Sequence, residues 1–172
     1  YYPQKLFYVK IFLIFITLIY KSIIFMASIK SKITSKLVGE IKVPGDKSIS
    51  HRALMFGACA IGATTINNLL ESEDIFSTLK ALKKLGVKIV KNQGNWKILG
   101  NGLGSFLGNN QTLDLGNSGT GARLLMGLVA GSDLKVTFKG DNSLSKRPMK
   151  RVTEHLSKSA ILNFRNPKRR SA

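Results

Sequence analysis

Twice in this chain a short apolar run breaks at a glycine-bearing turn and passes straight into a helical pattern: LVGEIKVPGDKSISHR at residues 37–52 and TLDLGNSGTGAR at 112–123. At each break the side-chain period changes from two to about 3.6, so strands and helices must share one core. Leu37 to Val43 alternates as a strand does, and Ile49 to Ala60 follows as a helix with Leu54, Met55 and Ala58 on its apolar side. Ala63 to Asn67 is a short β-branched run. Ser72 then stands as a helix N-cap, with Glu73 and Asp74 in the first turn where the helix dipole favours acids. Ile75, Leu79 and Leu82 recur at helical spacing, Lys80, Lys83 and Lys84 fall on the outer face, and Gly86 ends the helix. Val87 to Val90 and Trp96 to Leu99 predict a hairpin turning at Asn92-Gln93-Gly94-Asn95.

The order strand, helix, strand, helix, strand, strand then begins again. Leu113 to Leu115 is extended, Leu124 to Ala130 continues the helix opened at 116–123, Leu134 to Lys139 is a strand, and Pro148 suits position N1 of another helix. This alternation predicts an α/β (α+β) fold.

Both half-units place their chemistry at a helix start. Ser48 and Arg52 lie within one turn of each other, as do Thr120 and Arg123, and Lys47 adds a charge at the first start. Free N–H groups, hydroxyls and guanidinium forks together suit a phosphate or a carboxylate. Ordinary capping beside surface charge accounts for either start alone; the repetition favours anion binding. The Walker pattern G-x-x-x-x-G-K-[ST] is absent. A net charge of +18 points the same way, toward nucleic acid, a membrane surface or a phosphorylated metabolite. The single cysteine, Cys59, excludes an intrachain disulfide, and two histidines without clustered carboxylates give no expectation of a metal.

Three segments divide the chain: 1–25, 26–156 and 157–172. Residues 1–25 are almost all Ile, Phe, Leu, Tyr and Lys, and Phe7 to Phe25 approaches membrane-spanning length. An anchor helix, a signal peptide and translated upstream sequence compete here; the preferred reading starts the protein at Met26, leaves it cytoplasmic, and allows a membrane contact only if residues 7–25 are native. The basic tail carries Lys168, Arg169 and Arg170 and reads as solvated, with nucleic-acid contact as the sharper alternative.

The stretch PGDKSISHRALMFGACAIGATTINNLLESEDIFSTLKALKKLGVKI closely resembles the N-terminal region of the 5-enolpyruvylshikimate-3-phosphate synthase (3-phosphoshikimate 1-carboxyvinyltransferase) family. LGNSGTGARLLMGLVAG and DNSLSKRPMKRV resemble that family's second and third signatures, in the family's order, so that the likeness covers about residues 34–156. The resemblance implies β-α-β-α-β-β units of the enolpyruvyl transferase inside-out barrel. It implies transfer of the enolpyruvyl group of phosphoenolpyruvate to the 5-hydroxyl of shikimate 3-phosphate, in the shikimate pathway to chorismate, without a cofactor. By motif, Lys47 would contact both substrates, Ser48 and Arg52 would bind shikimate 3-phosphate, and Gly119 would line the phosphoenolpyruvate pocket beside Asn117 and Thr120. Arg147 would grip phosphoenolpyruvate, Arg123 would support its loop, and Asp46 and His51 would be structural. Some members carry Ala at the position of Gly119 and resist glyphosate, which implies a glyphosate-sensitive pocket here.

Against a full member of the family the sequence lacks the Ser-Ser-Gln substrate motif and the acidic groups credited with proton transfer, so no catalytic residue is assigned. It is expected to be a fragment truncated within the first domain, inactive alone, with a separately encoded second half as a partner that could complement it. The UDP-N-acetylglucosamine enolpyruvyl transferase and a basic nucleic-acid-binding protein are the rival readings.

Overall fold

The computed structural model describes residues 30–33 and 35–158. The chain divides into two units, residues 1–41 and 42–172. In the first, the described residues form neither helix nor strand, and Ile33, Leu37, Val38 and Ile41 are exposed. The strand expected over Leu37–Val43 is therefore not formed. Its alternating pattern is intact, but a strand exists only as a hydrogen-bonded ladder, and none of its residues pairs with another strand among the described residues. Residues 1–25, with their competing readings, and 159–172 lie outside the described residues, whereas Ser157 and Lys158 complete a helix rather than open a tail.

The second unit runs α1 (Lys47–Cys59), β1 (Ile61–Ile66), α2 (Glu73–Lys84), β2 (Lys88–Asn92), β3 (Asn95–Asn101), β4 (Gln111–Asp114), α3 (Gly119–Ala130), β5 (Val136–Lys139), α4 (Asn142–Lys146) and α5 (Lys150–Lys158). No helix among the described residues is long and apolar enough to cross a membrane.

Local sequence explains most of these boundaries. Asp46, Ser118 and Asp141 cap α1, α3 and α4, accepting from the N–H of Ile49 at 2.7 Å, Gly121 at 3.2 Å and Leu144 at 2.7 Å. α2 ends in a Schellman turn, with Gly86 N–H donating to Lys83 O at 3.0 Å and Val87 N–H to Leu82 O at 3.1 Å. The β2–β3 hairpin turns on Gln93 and Gly94, both at positive φ (46° and 81°), the geometry that matches strand twist. Two expectations fail locally. Ser72 occupies the N-cap position of α2, but its buried hydroxyl makes no capping bond. Pro148 lies two residues ahead of α5, because the chain first spends Asn142–Lys146 on the short helix α4.

β1, β3 and β2 form an antiparallel sheet in that spatial order, with Ile66 opposite Trp96 and Ile89 opposite Ile98. β4 and β5 are parallel, with Asp114 opposite Lys139, and α3 is the crossover between them. Leu54 of α1, Ile75 and Leu82 of α2, Ile98 of β3, Leu113 of β4 and Leu125 of α3 are completely buried, so one core joins both sheets. On the other side of α1, Ile49 and Phe56 remain exposed.

Candidate functional site

The first motif divides into residues occupied in building the fold and residues left over. Gly45 is pressed against the loop before α2: a Cβ there would sit within contact distance of the Asn68 carbonyl and 3.0 Å from Leu70 N, so only hydrogen fits. Asp46 caps α1. Buried Ser50 accepts from Leu70 N–H at 3.0 Å and pins the same loop. His51, fully buried, has Nδ1 2.9 Å from Thr78 Oγ1 on α2. What remains is Lys47, Ser48 and Arg52. Arg52 is exposed and Ser48 half-buried, and neither side chain has a partner among the described residues. Lys47 Nζ lies 3.2 Å from the Asp74 carboxylate on α2.

The second motif sorts in the same way. Gly116 turns the chain out of β4 at φ +52°, its N–H donating to Asp114 Oδ1 at 2.9 Å. That bond, followed by the Lys139 charge, holds the Asp114 carboxyl below its usual range. Ser118 is buried as the α3 cap. A Cβ on Gly121 would lie 2.7 Å from both Ser118 Oγ and Thr78 Oγ1 and 3.3 Å from His51 Cε1, so the first turn of α3 packs directly on the α1–α2 junction. Thr120 is left exposed without a side-chain partner among the described residues.

The third motif closes on the second. Asp141 N–H donates to Gly116 O and Leu115 N–H to Lys139 O, both at 2.9 Å, so the loops after β4 and β5 are stitched together. Arg147, extended beyond α4, donates from Nη2 to Asn117 Oδ1 at 2.9 Å across 30 residues of sequence. Its Nη1 would lie 2.8 Å from a Cβ on Gly119, and Arg123 Nη1 3.7 Å from the same point. Arg123 is half-buried and its Nε has no partner among the described residues.

Two gatherings result. Asn117, Gly119, Arg123 and Arg147 meet beyond the C-terminal ends of two parallel strands, the edge where α/β folds bind ligands. Lys47, Ser48 and Arg52 lie on the first turns of α1, joined to α2 through Lys47–Asp74 and His51–Thr78 and to α3 through Gly121. The starts of three helices thus converge, and each presents unbonded N–H groups and a partial positive charge. The three guanidinium groups, the ammonium and the hydroxyls of these two gatherings can neutralise anions with several oxygens. No group of three or more His, Cys, Asp or Glu among the described residues could hold a metal ion.

Sequence reasoning missed Asp74 and Thr78. Asp74 reads as an ordinary dipole-compensating acid, and Thr78 leaves only one trace, a hydroxyl on the apolar face set by Ile75, Leu79 and Leu82.

Residues 31–161 match the family described as EPSP synthase (3-phosphoshikimate 1-carboxyvinyltransferase). The 3-phosphoshikimate 1-carboxyvinyltransferase of Parvibaculum lavamentivorans is 50% identical over 134 residues, covering 77% of this chain and 30% of that protein. That of Novosphingobium aromaticivorans is 54% identical over 122 residues, covering 70% of this chain and 28% of that protein. A solved structure of EPSP synthase from Acinetobacter baumannii superposes with a TM-score of 0.68 at 42% identity, over 72% of this chain and 28% of that one. The chain spans about 30% of the length of the curated relatives it matches.

Proposed function

Because the chain belongs to the EPSP synthase family, we propose that its two glycine-bearing helix starts bind the anionic substrates of enolpyruvyl transfer, shikimate 3-phosphate and phosphoenolpyruvate. Ser48 and Arg52 bind shikimate 3-phosphate, Asn117, Gly119, Thr120 and Arg147 hold phosphoenolpyruvate, and Lys47 reaches both. The observation that carries this is the sorting of the motif residues. Gly45, Asp46, Ser50, His51 and Ser118 are consumed by the fold, and the cations and hydroxyls left over are those the assignment requires.

In the proposed reaction the phosphoenolpyruvate methylene is protonated, the 5-hydroxyl of shikimate 3-phosphate attacks the adjacent carbon, and phosphate leaves from the tetrahedral intermediate. The share of this chain is electrostatic. Arg147 is held by Asn117 at 2.9 Å, so a carboxylate or phosphate meets a fork already in place. Lys47, held at 3.2 Å from Asp74, is kept near the junction of the helix starts instead of ranging through solvent. No proton-transfer role falls to a described residue; those groups belong to the part of the family length that this sequence does not span, on the same or a complementing polypeptide. The setting we propose for it is the cytoplasm.

Calorimetric titration of the 172-residue chain with shikimate 3-phosphate tests the reading. Binding is expected, weakened by added salt and by Lys47→Ala or Arg52→Ala. A folded chain that ignores shikimate 3-phosphate, or binds it equally well without Lys47 and Arg52, would sink the assignment.

A further inference from the structure

α1 and α2 are joined by two rungs. The outer rung is Lys47–Asp74 at 3.2 Å and the inner one is His51 Nδ1–Thr78 Oγ1 at 2.9 Å. Lys47 and His51 are one turn apart on α1, and Asp74 and Thr78 one turn apart on α2, so the helices start side by side in the same direction. The inner rung is sealed, with His51 and Thr78 both 0% exposed. α3 closes it from a third side, since the position of a Gly121 Cβ is 2.7 Å from Thr78 Oγ1 and 3.3 Å from His51 Cε1. Replacing both partners of a buried polar pair by apolar groups of the same shape is often nearly neutral, so stability alone is a weak reason for a polar pair at the meeting point of three helix starts.

The protonation state of the ring follows from its surroundings. His51 Nε2 is buried without a hydrogen-bond partner among the described residues. A neutral ring with its hydrogen on Nδ1 donates to Thr78 and leaves only a lone pair at Nε2, whereas a charged ring would bury an orphaned N–H. We propose that His51 is a positioning residue that works only as the uncharged imidazole: through Thr78 it fixes the first turn of α1, and with it Lys47, Ser48 and Arg52, against the starts of α2 and α3. The charged groups that face it are Lys47 from α1 and Asp74 from α2; α3 faces it with Ser118 and Gly121, which carry no charge. Burial holds the imidazole below its usual range, and Lys47 works in the same direction against the pull of Asp74. What the positioned turn grips rests on the substrate assignment above; that it is positioned does not.

The test uses the isotopically labelled full chain, first without ligand. Thr78→Ser keeps the hydroxyl, and Thr78→Val keeps the volume and removes it. In the wild type and Thr78→Ser, His51 should show the Nδ1–H tautomer, and the amides of 47–52 and 118–121 should titrate together with its ring, below the ordinary histidine range of about 6.5. In Thr78→Val those amides should shift and the tautomer preference should be lost. Titration with shikimate 3-phosphate should then show about tenfold weaker binding for Thr78→Val and wild-type binding for Thr78→Ser. Unchanged amides in Thr78→Val, or a lowered urea midpoint with unchanged affinity of the folded chain, would overturn the proposal. A wild type that binds no shikimate 3-phosphate would instead count against the substrate assignment, and the ligand-free spectra would still decide the positioning.

Discussion

Gly119 and Gly121 sit two residues apart in the first turn of α3, yet a methyl group added at each should have opposite consequences. At Gly119 the new carbon would lie 2.8 Å from Arg147 Nη1, and no other atom comes closer than 3.7 Å. Arg147 is exposed, so the end of its long side chain has room to swing aside at the expense of its 2.9 Å bond to Asn117. An exposed hydrogen bond is worth about 0.5 kcal/mol, and replacing Gly by Ala in a helix recovers about as much, so Gly119→Ala should fold within about 0.5 kcal/mol of the wild type. At Gly121 the methyl would meet Ser118 Oγ and Thr78 Oγ1 at 2.7 Å and His51 Cε1 at 3.3 Å, all on buried residues with no room to yield. Overpacking of about 1–3 kcal/mol, with roughly 1 kcal/mol each for the Ser118 cap and the His51–Thr78 bond, leaves a net loss of about 2–4 kcal/mol after the gain in helix propensity. Urea unfolding read by circular dichroism measures both. Calorimetry with phosphoenolpyruvate should show Gly119→Ala binding about tenfold more weakly, because its fork has left Asn117. The reasoning fails if Gly119→Ala loses more than about 2 kcal/mol, if it keeps full affinity, or if Gly121→Ala is as stable as the wild type.

Acid should destabilise the fold through His51. Its pKa is lowered on folding, so the unfolded chain takes up the proton first, and stability should fall as pH drops below about 6.5, levelling below the folded pKa; a urea midpoint flat from pH 7 to 5 would contradict this. Ser50→Ala removes the acceptor of Leu70 N–H and should cost about 1–2 kcal/mol, with faster hydrogen exchange confined to the loop at 68–70. Leu82→Ala, at a completely buried position in the core, should cost about 2–5 kcal/mol by denaturant titration. Ile49 and Phe56 stand exposed on one side of α1, so Phe56→Glu should raise solubility, measured by light scattering, while leaving the free energy of urea unfolding within about 0.5 kcal/mol.

What the sequence determined by itself is local. Asp46, Ser118 and Asp141 cap helices because a short side-chain oxygen reaches the N–H three residues on, and Gln93-Gly94 and Gly86 close turns that need positive φ. Each of these acts within a few residues, so each can be read along the chain. The same holds for the apolar stripe of α2, since one helical period decides which of its side chains face inward. The third dimension decided the rest. Leu37–Val43 has a strand's pattern without a strand's partner among the described residues, and Ser72 sits at a cap without capping. The pairs that build the candidate site join residues far apart in sequence: His51 with Thr78, Lys47 with Asp74, Asn117 with Arg147. Whether a histidine beside a lysine and an arginine faces solvent or closes a junction of three helices depends on which backbones pack against it, and Gly121, 70 residues further on, supplies one of them. Periodicity carries no information about such meetings, because they are set by the packing of whole elements rather than by the spacing of residues within one.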